Sequence, residues 1–142
     1  FKPDTNKKII DIICYCLMPN HFHLIVCEKT EGGIAKYMQK ILTAYTMYFN
    51  KKYQHSGTLF QGPYKSKHVG SDEYLRFLIE YIHLNPYGIE EPGLLKEARS
   101  EKRKEAIHYS QQYEFSSFRD YLGYRRPENS ILVQGLTSEV SP

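Results

Sequence analysis

The sequence predicts a small α+β domain, in which an antiparallel sheet carries helices on one face. Two short apolar segments of strand-like composition lie near the start of the chain, and a turn sequence separates them. Later segments have helical periodicity or residues that cap helices. The 142 residues can bury one core, and 41% hydrophobic with 25% charged residues is ordinary for a globular protein.

The first two elements are predicted to form a β-hairpin. Residues 9–17 are apolar and rich in isoleucine and cysteine, as in a buried strand. Residues 18–20 supply turn chemistry, and the strand pattern resumes over residues 21–27. Two apolar runs that are joined by so short a turn favour antiparallel pairing.

A helix is predicted over residues 30–50, where apolar residues recur on one face, and we expect this stripe to pack in the core. The stripe comprises Ile34, Tyr37, Met38, Ile41, Tyr45, Tyr48 and Phe49. Residues 58–69 look extended, but Gly62 and Pro63 interrupt them, as at an edge strand or a bulge.

A second helix is expected to begin after Ser71, whose side chain can cap it, with acidic residues in the first turn. It should run to about Asn85, because Pro86 disfavours a helical conformation at the residue before it. Residues 94–112 are a charged helix candidate, and residues 116–122 a short one.

The composition excludes several classes of protein. No apolar run approaches the ~20 residues that a membrane helix needs, so no membrane partner is expected. Three cysteines, an odd number, argue against a disulfide framework and predict a cytoplasmic, reducing environment. Cys14 and Cys16 do not have the spacing of a zinc knuckle, and we interpret all three as plain thiols.

Charge is distributed unevenly along the chain. Residues 33–70 contain six lysines and no carboxylate, whereas the remainder holds 13 basic and 16 acidic residues. The six are Lys36, Lys40, Lys51, Lys52, Lys65 and Lys67. A basic block interleaved with aromatic rings indicates a polyanion partner and suits single-stranded nucleic acid. The alternative is that the rings are core and the lysines a solvated face.

His21 and His23 form the sharpest local pattern. Alternate residues of a strand point to the same face, with Cα atoms ~6.5–7 Å apart, so the two imidazoles can converge on one cation. An isolated pair of this kind is more often structural, because short motifs have many false positives.

Tyr81 and Asn85 form the second pattern, since residues four apart on a helix share a face. A phenol there can act as nucleophile, and a side-chain amide one turn later can be a metal ligand. Either residue alone is more often explained by packing or by the end of a helix.

Five blocks of sequence occur in order between about residue 9 and residue 123: MPNHFHLIV, LTAYTMYFN, GTLFQGPYKS, EYIHLNP and FSSFRDYLG. Together they resemble the REP-associated and insertion-sequence single-tyrosine transposases of the HUH endonuclease superfamily. The resemblance implies a ferredoxin-like antiparallel sheet with helices packed on it. It also implies a bacterial, nucleoid-associated protein with this domain over residues 1–125 and a C-terminal tail over 126–142.

The resemblance also implies a chemistry. His21 and His23 would hold a divalent metal, magnesium or manganese, and Asn85 would supply a third ligand. Tyr81 would be the nucleophile that cleaves and rejoins hairpin-associated single-stranded DNA through a 5′-phosphotyrosine link. The five candidates for DNA binding are Lys51, Lys52, Lys65 and Lys67, for phosphates, and Tyr64, for base stacking.

Several points stay open at the level of sequence. Tyr74 is a rival nucleophile, although its fourth neighbour is Leu78 and not an amide. His83 stands where many family members have an acidic residue, and it could be a packing residue, a phosphate contact or an extra ligand. The family usually has a strand and a helix before the position of Ile9, so we expect truncation, or a sheet completed otherwise, for example by strand exchange. Monomer and homodimer are not distinguished.

Two other functional classes are consistent with parts of the sequence. A catalytically inactive module of the same fold could bind a DNA hairpin without cleaving it. A ferredoxin-like RNA-binding domain would place stacking aromatic residues on adjacent central strands, where residues 9–17 offer only Tyr15.

Overall fold

Two antiparallel strands and four α-helices make up the regular structure of residues 8–89 and 100–133, which a computed structural model describes. The strands are β1, Ile10–Leu17, and β2, Phe22–Glu28. The helices are α1, Gly33–Tyr53; α2, Asp72–Leu84; α3, Ser100–Gln112; and α4, Phe118–Tyr121. The predicted α+β class is confirmed.

The strands β1 and β2 form the predicted hairpin. The backbone N–H of Met18 donates to the carbonyl of His21 at 2.8 Å and closes the turn. Strand β2 begins at Phe22, one residue later than predicted, so His21 is the last residue of the turn.

The other edge of β1 is covered by segments from much later in the chain. An isolated antiparallel bridge pairs Cys16 with Ser116, and an isolated parallel bridge pairs Ile12 with Leu132. No strand is predicted from the sequence at either segment. The described sheet is therefore completed along β1 by short bridges and not by a third strand.

Ser117 is the central contact on this edge of β1. Its backbone N–H donates to the carbonyl of Tyr15 at 2.9 Å, and its Oγ accepts from the N–H of the same residue at 2.9 Å. Its hydroxyl also lies 3.2 Å from the Tyr15 carbonyl. One serine thus satisfies both backbone groups of a buried strand residue, each of which would cost about 1–3 kcal/mol if left unpaired.

The helix α2 begins where the sequence predicts. The Oγ of Ser71 accepts a hydrogen bond from the backbone N–H of Tyr74 at 3.2 Å. The α-helix ends at Leu84, but Asn85 keeps right-handed helical angles and the chain continues as a 3₁₀ helix, Asn85–Ile89. Pro86 is fully buried there, and this packing outweighs its local preference against a helical neighbour.

The main core joins the hairpin to α2 and α4. It consists of Cys14, Cys16, Met18, Ile25, Ile79, Ile82 and Tyr121. Burial raises the pKa of the Cys14 and Cys16 thiols to about 12, so both stay protonated, whereas Cys27 is exposed. A second cluster, Leu84, Tyr87 and Ala106, packs the 3₁₀ helix against α3.

The chain divides into two compact units. Among the described residues, unit 1 contains 8–11 and 27–68, and unit 2 contains 12–26, 69–89 and 100–133. The described part of the predicted tail includes a 3₁₀ helix, Pro127–Ile131, and Leu132, which bridges to β1. The division into a domain over 1–125 and a tail over 126–142 stays a prediction.

One expectation for the chain after β2 holds only in part, and a second is wrong. In the apolar stripe of α1 only Met38 is buried, whereas Ile41, Tyr45 and Tyr48 are exposed. Among its described residues unit 1 has no second helix that could cover the stripe. Residues 58–69 consist of bends and irregular backbone and form no strand.

None of the described helices combines the length and the apolar character needed to cross a bilayer.

Replacing Gly33 with alanine should destabilise the protein by about 1–3 kcal/mol. A Cβ at this position would overlap the carbonyl oxygen of Ile9, which is fixed by a 3.0 Å hydrogen bond from the N–H of Lys29. Gly62→Ala is the control, because a Cβ there meets nothing within 4 Å. Urea unfolding measures both, and equal losses would contradict the close approach at Gly33.

Candidate active site

His21 and His23 lie side by side where the turn enters β2. Their ring centroids are 5.0 Å apart and the ring planes are at 89°. His21 is exposed and His23 is half-buried. The two-residue spacing therefore brings the imidazoles together, although His21 lies just outside the strand.

A hydrogen bond orients one of the two imidazoles. The Nδ1 of His21 is 2.7 Å from the side-chain oxygen of Asn20. Since an amide oxygen only accepts hydrogen bonds, Nδ1 is the donor in this contact, and Nε2 is the nitrogen that Asn20 does not engage. Burial, and then the neighbouring His21, lowers the pKa of His23 from its ordinary value.

The helix α2 brings Tyr81 to this pair. The ring centroid of Tyr81 is 6.4 Å from that of His23, with the planes at 75°. Ile79 and Ile82 on the same helix face the core, so Tyr81 lies at the border of the buried face. Its side chain is 39% exposed, which leaves the phenol open to a ligand.

Asn85 is half-buried at the C-terminal end of α2, one turn beyond Tyr81. Its backbone N–H donates to the carbonyl of Ile82. In residues 8–89 and 100–133, no hydrogen bond joins its side-chain amide to His21 or His23, and its role as a ligand stays a prediction. Nor does this part of the chain contain a group of three His, Cys, Asp or Glu side chains that could hold a metal ion.

His83 belongs to the core and not to the histidine pair. It is 3% exposed and lies two positions, about 200°, around the helix from Tyr81. Its ring stacks on Phe118 with centroids 5.2 Å apart and meets the ring of Tyr121 edge-on at 4.8 Å. Of the roles that the sequence left open, packing is the one that this environment supports.

The hydrogen bonds of His83 are consistent with a neutral ring. Its Nε2 is 2.8 Å from the Oγ of Ser117. This hydroxyl accepts a hydrogen bond from the backbone N–H of Tyr15 and donates one to the carbonyl of the same residue. The single hydroxyl proton is thus used, so His83 Nε2 is the donor. Burial lowers the pKa of His83 to about 4, although the negative charge of Asp120 acts to raise it.

Tyr74 and Phe77 precede Tyr81 on α2. Tyr74, the rival nucleophile, lies about two turns or ~10 Å earlier along the helix axis. The ring of Phe77 stacks on both tyrosines, with centroids 6.3 Å from Tyr74 and 6.2 Å from Tyr81. Phe77 was not among the residues predicted from the sequence to be functional. Its spacing of three residues from Tyr74 and four from Tyr81 is nevertheless typical of side chains that share one face of a helix.

The predicted DNA-binding residues all belong to unit 1, and their side chains are exposed: Lys51, Lys52, Tyr64, Lys65 and Lys67. Lys52 donates to the hydroxyl of Tyr48 at 3.1 Å and lies 5.3 Å from the ring centroid of Tyr53. The rings of Phe49 and Tyr53 are tilted at 45° to each other, with centroids 4.6 Å apart. The exposed end of α1 thus combines ammonium groups with accessible rings, as surfaces that bind single strands do.

Comparison with known proteins identifies the family. The family described as "Transposase IS200 like" matches residues 2–85, more than half of the chain and the part that contains His21, His23 and Tyr81. The chain belongs to the IS200-like transposases. This transposase therefore has a function in DNA transposition, and DNA is its partner. No curated protein and no solved structure matches the transposase.

Replacing His83 with alanine should destabilise the transposase by about 2–3 kcal/mol, because it removes two ring contacts and a buried hydrogen bond. His23→Ala should cost less than about 1 kcal/mol, since this ring is only half-buried. Urea unfolding at neutral pH gives both values. Equal losses would show that His23, like His83, is mainly structural.

Proposed function

We propose that this transposase cleaves and rejoins single-stranded DNA through a covalent bond to Tyr81, with a divalent metal held by the histidine pair. The observation that carries the proposal is the adjacency of the three rings: Tyr81 at 6.4 Å from His23, and His23 at 5.0 Å from His21. An accessible phenol beside paired imidazoles has the components of a metal-assisted nucleophile.

His21 and His23 would hold the cation, and Asn85 is the proposed third ligand. The fit rests on the donor set, because two imidazoles are good ligands for manganese, while magnesium is favoured by abundance. Asn20 supports the fit, since its bond to Nδ1 orients the ring of His21. When bound, the cation would polarise the scissile phosphate and stabilise negative charge on its oxygens.

In the proposed step the oxygen of Tyr81 attacks the phosphorus of a phosphodiester. A new P–O bond forms to the tyrosine, and the bond between phosphorus and the 3′ oxygen breaks. The phenol proton is lost and a proton is gained by the leaving 3′ oxygen, which becomes a free hydroxyl. Because one phosphodiester replaces another, the step is nearly isoenergetic, and a second 3′ hydroxyl can reverse it and so complete strand transfer.

The substrate proposed for this reaction is a single strand next to a DNA hairpin. The lysines of unit 1 would bind its phosphates, and Tyr64 would be available to stack on a base. An RNA-binding domain that stacks bases on its strands is less consistent with the fold. Its one candidate ring on β1, Tyr15, is buried, and its hydroxyl accepts a hydrogen bond from Arg126.

Replacing Tyr81 with phenylalanine should abolish a covalent protein–DNA adduct, because the attacking oxygen is removed while the ring is kept. The substrate is a labelled pool of DNA hairpins with randomised loops and single-stranded flanks, incubated with manganese and analysed on a denaturing gel. Tyr74→Phe is the matched control on the same helix and should keep the adduct. EDTA or His23→Ala should remove it as well.

Three outcomes separate the alternatives. An adduct that persists in Tyr81→Phe and disappears in Tyr74→Phe would move the nucleophile to Tyr74. An adduct that forms equally well in EDTA would show that the reaction needs no divalent metal. Tight hairpin binding by the parent without any adduct would favour the inactive binding module.

Replacing Lys65 with alanine should weaken binding to every DNA sequence and make log K less dependent on log salt by ~0.7, as expected for one lost phosphate contact on a single strand. Fluorescence anisotropy at several salt concentrations measures both effects. Lys104→Ala, an exposed lysine of α3, is the control. If both variants keep the parent's salt dependence, the DNA surface does not include Lys65.

A further inference from the structure

The side of α2 that faces away from the core carries a row of three aromatic rings, half-buried Tyr74 and exposed Phe77 and Tyr81, which we call the α2 ring row. Consecutive rings are nearly parallel, with interplanar angles of 15° and 23°. Phe77 is at the centre and is 59% exposed. A single exposed phenylalanine is ordinary, but three aligned rings that end at the proposed nucleophile are not explained by chance exposure alone.

The packing of α2 does not account for Phe77. The helix faces the core with Ile79, Ile82 and His83, and Phe77 lies on the opposite side. Although the rings of Tyr74 and Tyr81 flank it at 6.3 and 6.2 Å, more than half of the Phe77 side chain stays accessible to a ligand.

We propose that Phe77 is a stacking platform for a base of the single-stranded DNA substrate, at the nucleotide next to the phosphate that Tyr81 attacks. This inference rests on the proposed function for its location. Phe77 precedes Tyr81 by one helical turn, ~6 Å along the axis, and the two ring centroids are 6.2 Å apart. A nucleotide whose phosphate reaches the phenol can therefore lay its base on the neighbouring ring.

The charges around the row favour a base over a phosphate as its occupant. Exposed Glu73, Arg76 and Glu80 lie on the same helix, and Glu80 is paired with Arg103 at 2.7 Å. This side of α2 is thus not basic, and it does not offer a row of cations to the DNA backbone. Its feature for recognition is the π-face of Phe77, which every base can use, so the contact should be tolerant of sequence and insensitive to salt.

The test compares two fluorescein-labelled probes: a single-stranded oligo(dA), and the same backbone with every base replaced by an abasic site. Anisotropy titrations in EDTA measure binding without cleavage. Phe77→Ala should weaken binding of oligo(dA) about tenfold, leave the abasic strand unchanged and leave the salt dependence unchanged. Phe77→Tyr should restore the affinity. The matched control, Phe115→Ala, removes a ring with the same 59% exposure and should have no effect.

Other outcomes would overturn the inference. Equal affinities of parent and Phe77→Ala for oligo(dA), or an equal loss for both probes, would exclude base stacking. If light scattering shows a dimer that Phe77→Ala dissociates, with unchanged DNA affinity, the ring row is a contact between copies instead. The titrations need neither metal nor adduct, so they are independent of the adduct experiment. If no adduct forms but the loss of binding in Phe77→Ala still depends on the bases, the proposed cleavage is rejected and the stacking site is retained.

Discussion

The position of Tyr81 depends on how the outer edge of β1 satisfies its backbone hydrogen bonds. Ser117 pairs with both backbone groups of Tyr15 and accepts from His83, so one residue joins the strand to α2. The helix is thereby fixed in rotation: with His83 on the buried side, the ring of Tyr81 faces His23. The catalytic arrangement that we propose is thus maintained by polar contacts on the far side of the helix that carries it, and not only by contacts around the site.

Local elements could be predicted because their signals are local. The hairpin follows from two apolar runs around a turn, and the start of α2 follows from the cap at Ser71. The bridges of Ser116 and Leu132 could not be predicted, since their partners on β1 are 100 and 120 residues away and single bridges leave no periodic pattern. The stripe of α1 was misread for a related reason. Helical periodicity shows which residues share a face, but it does not show whether another element covers that face.

The candidate site was predicted unevenly. The adjacency of His21 and His23 follows from their two-residue spacing at the start of β2, whereas the contact of His23 with Tyr81 is tertiary and was expected only from the family resemblance. The burial of His83 was not decided by the sequence, because a histidine in a helix can face either way. Asn20 was read as a turn residue, and its bond to an imidazole depends on a side-chain rotamer that the sequence does not specify.

The bridged edge of β1 also affects how the sheet can grow. A strand with unpaired N–H and C=O groups is a template for another chain, and propagation into a fibril requires two such edges. On β1 that template is occupied by residues 115–117 and 132–133 of the same chain. Another chain that paired with this edge would first have to displace the hydrogen bonds that Tyr15 makes with Ser117 and that Ile12 makes with Val133.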